Sequence, residues 1–560
     1  MAGDPVREAI SRRLEAFDEQ RFGERLFDRD TTLWKDDPQH REIIGNALGW
    51  LSVADDMLSK CGDLSGFAAQ VAADGYTDAV LLGMGGSSLA PEVLRRTFGV
   101  ADGFLDLGIC DSTDPAAVAA VEAAVDLEHT LFVVSSKSGG TTETASFHAY
   151  FLGRVQELLG DAQAGSHFIA TTDPGTALHD EALAQGFRAV FLNPPDIGGR
   201  YSALSYFGLV PAALMGLDVR RLLERAAHVA AICRDGLPAA EHPAFKVGVA
   251  LGELARAGRD KVTFFLSPSI ASLGAWLEQL LAESTGKEGT GLVPVDGETP
   301  GPPAVYGDDR VFVSLQVEGE PDARTAESLR VLSAAGHPTM TLTLSDIWDV
   351  GAEFVRWEIV AAAAGAVLGI DPFDQPNVAE SKDNTRRLLR AYVSDGRLPD
   401  VAAGPDGRRP TAAVGDDGLA AALGELLGAV GPGDYVSLQA YLPPTEQHQR
   451  ILQGVRLHLR DRLRVATTLG YGPRFLHSTG QLHKGGKPSG VFLQLTCSEA
   501  RDVAIPGQPY TFGLLEQAQA QGDLEALSSR GLRVLSVDLG PDPLPGLTAF
   551  GGVVAELLRS

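Results

Sequence analysis

Apolar runs of strand length recur along this chain, each opening into Gly, Ser or Asp and then into a stretch with helical spacing. The first set is DAVLLG (Asp78 to Gly83), LFVVSS (Leu131 to Ser136), HFIATT (His167 to Thr172) and RAVFL (Arg188 to Leu192). A second set follows: KVTFFLS (Lys261 to Ser267), RVFVSLQ (Arg310 to Gln316) and TMTLTLS (Thr339 to Ser345), closed by a long apolar helix around Trp357 to Leu368. A third block shows DYVSLQAYL, GVFLQLT and LRVLSVDL as strands. Strands alternating with helices predict an α/β fold of parallel sheets covered by helices on both faces. The expected division is a helical segment over 1–65, doubly wound domains over 66–220 and 221–393, a linker and helix over 394–430, and a C-terminal α/β domain over 431–560. The Gly/Pro/Asp-rich run from Ser394 to Asp417 marks the linker.

Composition narrows what such domains can serve. With 560 residues, 44% of them hydrophobic and 21% charged, the chain has ample material for soluble cores. A net charge of −26 argues against general binding to nucleic acid or to an anionic membrane. An anionic substrate then requires a local pocket of its own. The N-terminus is charged throughout and no segment is apolar for long enough to span a bilayer, so a cytoplasmic location is expected. Cys61, Cys110, Cys233 and Cys497 are far apart in sequence and suggest neither a zinc site nor a disulfide framework.

Chemistry concentrates first in VVSSKSGGTTET, Val133 to Thr144. A strand empties there into glycines, hydroxyls and a lysine before a helix begins. Backbone N–H groups converging at such a turn, the positive end of the helix and the hydroxyls of Ser136, Ser138, Thr141 and Thr142 suit a phosphate, and Lys137 would add a charge. An ordinary Gly/Ser turn would explain this stretch taken alone. Two nucleotide motifs fail on spacing. Gly83, Gly85 and Gly86 are followed by Ser88 where a dinucleotide fingerprint needs glycine, and ESTGKE lacks the hydroxyl residue that follows Gly-Lys in a phosphate-binding loop. No cofactor and no metal are expected.

Taken together, LLGMGGSSLAPEVL (Leu81 to Leu94), SSKSGGTTET, DIGGRYSALSYFG (Asp196 to Gly208), LEQLLAESTGK (Leu277 to Lys287) and DPFDQPNVAESK (Asp371 to Lys382) resemble, in order, the motifs of the phosphoglucose isomerase family. The likeness covers most of the chain and is strongest to the isomerase portion of proteins in which a transaldolase precedes the isomerase. Met1 falls near the expected start of that portion, and no eight-fold strand–helix repeat is present, so transaldolase activity is not expected.

The resemblance implies two sugar-isomerase-type αβα domains that interconvert glucose 6-phosphate and fructose 6-phosphate through ring opening and an enediolate. It implies Glu283 as the base moving the proton between C2 and C1, and Arg200 as the electrostatic partner of the developing oxyanion. It places Lys382 at ring opening, Gln279, Gly86 and Ser87 at the sugar, and Ser136, Lys137, Ser138 and Thr141 at the sugar or its phosphate. One departure stands out. Family members carry the ring-opening histidine between the glutamate and the lysine, where this chain has only His337 in an unlike context. The similar motif, FLHSTGQ, comes later and points to His477, with His483 in GQLHKGG as the other candidate. Residues Asp434 to Leu539 read as a partial duplication of the second domain, because strand, loop, strand and PYTFGLLEQAQAQGD recur in the order seen between Lys261 and Gly369; an unrelated appended domain is the alternative. In typical family dimers that histidine comes from the neighbouring subunit. If the C-terminal block folds back over the cleft between the first two domains, His477 would enter from the same chain and a monomer could be active, with a dimer left open.

Two other readings have discriminating features. A non-catalytic sugar-phosphate sensor would keep the phosphate loop without needing Glu283, Arg200 and Lys382 together. An isomerase that also accepts mannose 6-phosphate would differ only in the shape of its pocket.

Overall fold

The computed structural model describes residues 5–234, 236–320, 322–402, 409–498 and 501–559. Three all-parallel sheets dominate it. The first contains β1 (Asp78–Gly83), β2 (Asp106–Cys110), β3 (Thr130–Ser135), β4 (Phe168–Thr172) and β5 (Ala189–Leu192), in the order β2-β1-β3-β4-β5. The second contains β6 (Lys261–Leu266), β7 (Val293–Val295), β8 (Arg310–Val317) and β9 (Thr339–Leu344), in the order β7-β6-β8-β9. The third contains β10 (Thr411–Ala413), β11 (Tyr435–Tyr441), β12 (Ala466–Tyr471), β13 (Gly490–Thr496) and β14 (Arg533–Asp538), in the order β10-β14-β13-β11-β12. Counted from its own first long strand, each sheet runs second, first, third, fourth. The third block thus repeats the winding of the second.

Central strands are buried on both faces, as helix-covered parallel strands must be: every residue of β3 and β11 is buried. The strands that the apolar pattern did not predict are β2, β7, β10 and β12, and each lies at a sheet boundary. β10 also corrects the expected linker, because part of the run from Ser394 to Asp417 pairs with β14. Residues 403–408 of that run lie outside the described residues.

The third block is docked onto both earlier blocks. Its helix Phe512–Ser529 stacks Phe512 on Phe147 of the first block, with ring centroids 5.9 Å apart. Val293 and Val295 of β7 share a buried apolar cluster with Ala466, Leu482 and Phe492. No helix among the described residues is long and apolar enough to cross a membrane.

Candidate active site

The site assembles where the loops after β1 and β3 meet the helix Leu273–Thr285 and the short helical turn Arg474–His477. Close backbone approach is a condition of that meeting. A Cβ on Gly86 would lie 2.1 Å from the Gly199 carbonyl oxygen, so only glycine lets the first loop pack against the segment carrying Arg200. Gly85 takes φ +56°, and a Cβ there would lie 2.8 Å from the His477 carbonyl oxygen.

Glu283 stands in the last turn of its helix, buried. Its Oε1 accepts from Arg200 Nη1 at 3.0 Å, and its Oε2 accepts from Gln279 Nε2 at 3.0 Å, one turn earlier. Arg200, also buried, donates through Nε to Ser284 Oγ (2.8 Å) and through Nη1 to Gln375 Oε1 (2.8 Å) as well as to Glu283. Its Nη2 donates to the carbonyl oxygens of Pro372 (2.7 Å) and Asp374 (2.9 Å). All five N–H bonds of the guanidinium are thereby used. To contact a substrate oxygen directly, Arg200 must exchange one of these partners, and Gln375, exposed at the surface, is the partner most accessible to displacement. Lys287, buried beside it, holds Asp374 through both its carboxylate and its carbonyl. Burial and the nearby Arg200 push the Lys287 ammonium down to about 8, against the pull of Asp374.

Gln279 Nε2 also donates to the His477 carbonyl at 2.7 Å, which joins the glutamate helix to the third block. The His477 ring turns to Glu143, with Nε2 2.8 Å from Oε1. Burial would raise the Glu143 carboxyl, but the charge and hydrogen bond of His477 outweigh it, Lys382 adds to them, and the group is held below its ordinary value. A carboxylate only accepts, so His477 Nε2 carries the hydrogen of this bond, and whenever the ring is neutral the lone pair is on Nδ1. His477, Glu143 and Lys382 line one small recess, about 20 Å³, together with Thr142, Ser381, Thr385 and Gln519.

In the loop after β3, Ser136 Oγ donates to Thr141 Oγ1 at 3.1 Å, Gly139 sits at φ +63°, and helix Thr142–Leu159 begins without a side chain capping its first N–H groups. The Glu143 N–H in this first turn bonds its own carboxylate, and the N–H groups of such a helix start suit an anion. Ser138 is exposed, and its Oγ accepts from the Gly140 N–H at 3.4 Å. Ser87 is buried at the end of the β1 loop.

Two expected site residues are placed otherwise. The Lys137 ammonium is taken by the Asp173 carboxylate and the Pro195 carbonyl, so it is not held free for an anion. His483 is buried in an aromatic surround of Phe492, Phe475 and Tyr435, and its Nδ1 meets Gln439 at 3.2 Å. Burial and Lys484 push its imidazole well below the ordinary value, so it is a neutral core histidine. His337 is likewise buried, edge-on to Phe312. Glu143, which meets His477, and Gln375, which meets Arg200, were not singled out from the sequence, although both stand inside the motifs TTET and FDQP.

Known proteins share this architecture. The profile of the family described as phosphoglucose isomerase matches residues 54–308. A glucose-6-phosphate isomerase from Rubrobacter xylanophilus is 32% identical over 363 residues, covering 56% of this chain and 83% of that one. Among solved structures, a hypothetical protein from Thermus thermophilus matches with a TM-score of 0.59 at 25% identity, over 68% of this chain and 96% of that one. A glucose-6-phosphate isomerase from Chlamydia trachomatis shares the fold, with a TM-score of 0.51 at 20% identity over 60% of this chain and 74% of its own. With its motifs, its winding and these relatives in agreement, the chain belongs to the phosphoglucose isomerase family.

Proposed function

We propose that the chain interconverts D-glucose 6-phosphate and D-fructose 6-phosphate in a site that it completes by itself, with one group for each chemical task. The observation that carries this reading is the junction at Gln279. One amide nitrogen bonds both the Glu283 carboxylate and the backbone of His477, so the proton-transfer group and the ring-opening group are fixed to each other.

The phosphate sits in the cradle formed by Ser136, Thr141 and the start of helix Thr142–Leu159. With the phosphate anchored, the sugar lies toward Glu283. His477, oriented by Glu143, exchanges a proton with the hemiacetal through Nδ1 while Lys382 supplies positive charge at the same recess, and the ring opens. Glu283 then takes the C2 proton and returns it to C1. The negative charge of the enediolate is stabilised by Arg200, whose guanidinium stays charged throughout. None of these steps changes an oxidation state outside the substrate, so the reaction balances within the sugar.

The test is a coupled assay of fructose 6-phosphate conversion by the purified chain, together with incorporation of solvent deuterium at C1 or C2. Turnover with exchange is expected. Binding without turnover would mean a sensor, and comparable turnover of mannose 6-phosphate would broaden the substrate assignment.

A further inference from the structure

The recess contains a polar group that the proposed chemistry does not use. Gln519, buried on the third-block helix Phe512–Ser529, is inserted between two residues of the first block. Its Nε2 donates to Glu143 Oε1 at 2.7 Å, the same oxygen that meets His477. Its Oε1 accepts from Thr113 Oγ1 at 2.7 Å. Thr113 is fully buried in the segment after β2, and its single hydroxyl hydrogen is spent on this bond.

From this geometry we infer that Gln519 is a positioning residue for ring opening, acting on His477 through Glu143. The inference rests on the function proposed above. The bonds form one line, Thr113 to Gln519 to Glu143 to His477, that crosses between the first and third blocks at each step. Each link has a defined direction. Thr113 can donate to the amide oxygen only, which turns the amide nitrogen toward Glu143. The carboxylate, receiving from both Gln519 and His477, is fixed in place and kept ionised in a buried setting, where an unpaired charge would be costly. An ionised, immobile Glu143 in turn fixes His477 with hydrogen on Nε2, so that the neutral ring has its lone pair on Nδ1.

Gln519 touches no reacting atom, so its removal should act through one step. Gln519→Met keeps the length of the side chain and deletes both polar atoms. We expect kcat for fructose 6-phosphate to fall by about tenfold, less than the roughly 10²-fold or more that a general acid–base group itself contributes, with KM within about twofold and a lower melting temperature, because the Thr113 hydroxyl and one Glu143 oxygen lose a buried partner. In a Glu143→Gln background the same substitution should add nothing, because its route is already cut. Thr113→Val deletes only the hydroxyl that orients the amide and should show a smaller loss of the same kind; it decides the matter if Gln519→Met does not fold. Unchanged kcat in both variants, or a full additional loss in the Glu143→Gln background, would overturn the inference. An inactive wild-type chain would instead overturn the proposed function, so the two failures are distinguishable.

Discussion

In the second block the helix after the first strand, Leu273–Thr285, delivers Glu283 and Gln279 to the site. The third block winds its strands in the same order, and its matching helix, Glu446–Leu463, does something else: Arg456 bonds the Thr467 carbonyl and Arg460 reaches across to that of Thr299. What the third block gives to chemistry comes after its second strand, in the turn Arg474–His477. In the second block the corresponding connection after β7 holds Glu298, which ion-pairs with Arg310 and Arg460 in the buried contact between the blocks. The comparison separates two kinds of specification. Strand order is repeated because it depends on burial of apolar strands. Chemistry is divided because it depends on the loops and helix ends, which diverge without disturbing the sheet.

The most damaging single change should fall on the second block. Glu283→Gln keeps an oxygen for Arg200 and removes the proton-carrying function, so we expect kcat to drop by roughly 10²-fold or more while sugar phosphate still binds. Near-normal turnover would place the proton transfer elsewhere. The third block's contribution is tested by His477→Ala. Since a hemiacetal also opens without help, the loss should be smaller, about tenfold to 100-fold, and it should shrink when the open-chain fraction of the substrate is raised by warming. An equal loss in both variants would break the division of tasks between the blocks. The tie from His477 to Glu143 has its own pH signature. Glu143 is held below the usual carboxyl value of 4.5, so its stabilising contribution is complete above that pH and is lost only as the pH falls through the lower, folded-state value.

Effects in the first block should appear in binding. Ser136→Ala combined with Thr141→Ala removes hydroxyls facing a group that does not change during the reaction. KM should rise by about tenfold, consistent with losing about 1.5 kcal/mol of hydrogen bonding to an anion, and kcat should change little. Constant KM would mean that the phosphate binds at some other place.

The same contrast explains how much could be read from the sequence. Central strands such as LFVVSS and GVFLQLT announce themselves because both their faces are buried. β7 is VPV and β12 is ATTLGY, short or partly polar boundary strands whose pairing depends on a neighbour that the local pattern does not display. Glu283, Arg200 and His477 were legible through motifs. His483 lies in a similar polar run, yet the aromatic rings of Tyr435, Phe475 and Phe492 enclose it, and they come from separate strands and turns. Lys137 had the right charge at the right place, but Asp173 and Pro195, which claim it, are brought up only by the fold. Gln519 had no local signal at all, since its partners Thr113 and Glu143 are 406 and 376 residues away.

The smallest expected effect is the absence of one, and it bears on why the block was repeated. The second and third blocks meet through β7 and β12, the second strand of each sheet, with Val293, Val295 and Ala466 in one buried cluster. Two copies of a single domain related by a two-fold axis would meet through equivalent edges in the same way. The third block also carries His477 to the Glu283 wall of its own chain. On the function proposed above a second chain supplies no group, and specific activity should stay constant as the protein is diluted through the range in which any dimer dissociates. Light scattering on the same samples fixes the oligomeric state at each concentration. Activity that falls in proportion to the monomer formed would show that the chain needs a partner despite its complete set of residues. Constant activity in a monomer would show that the repeated winding does within one chain what a second copy would otherwise do.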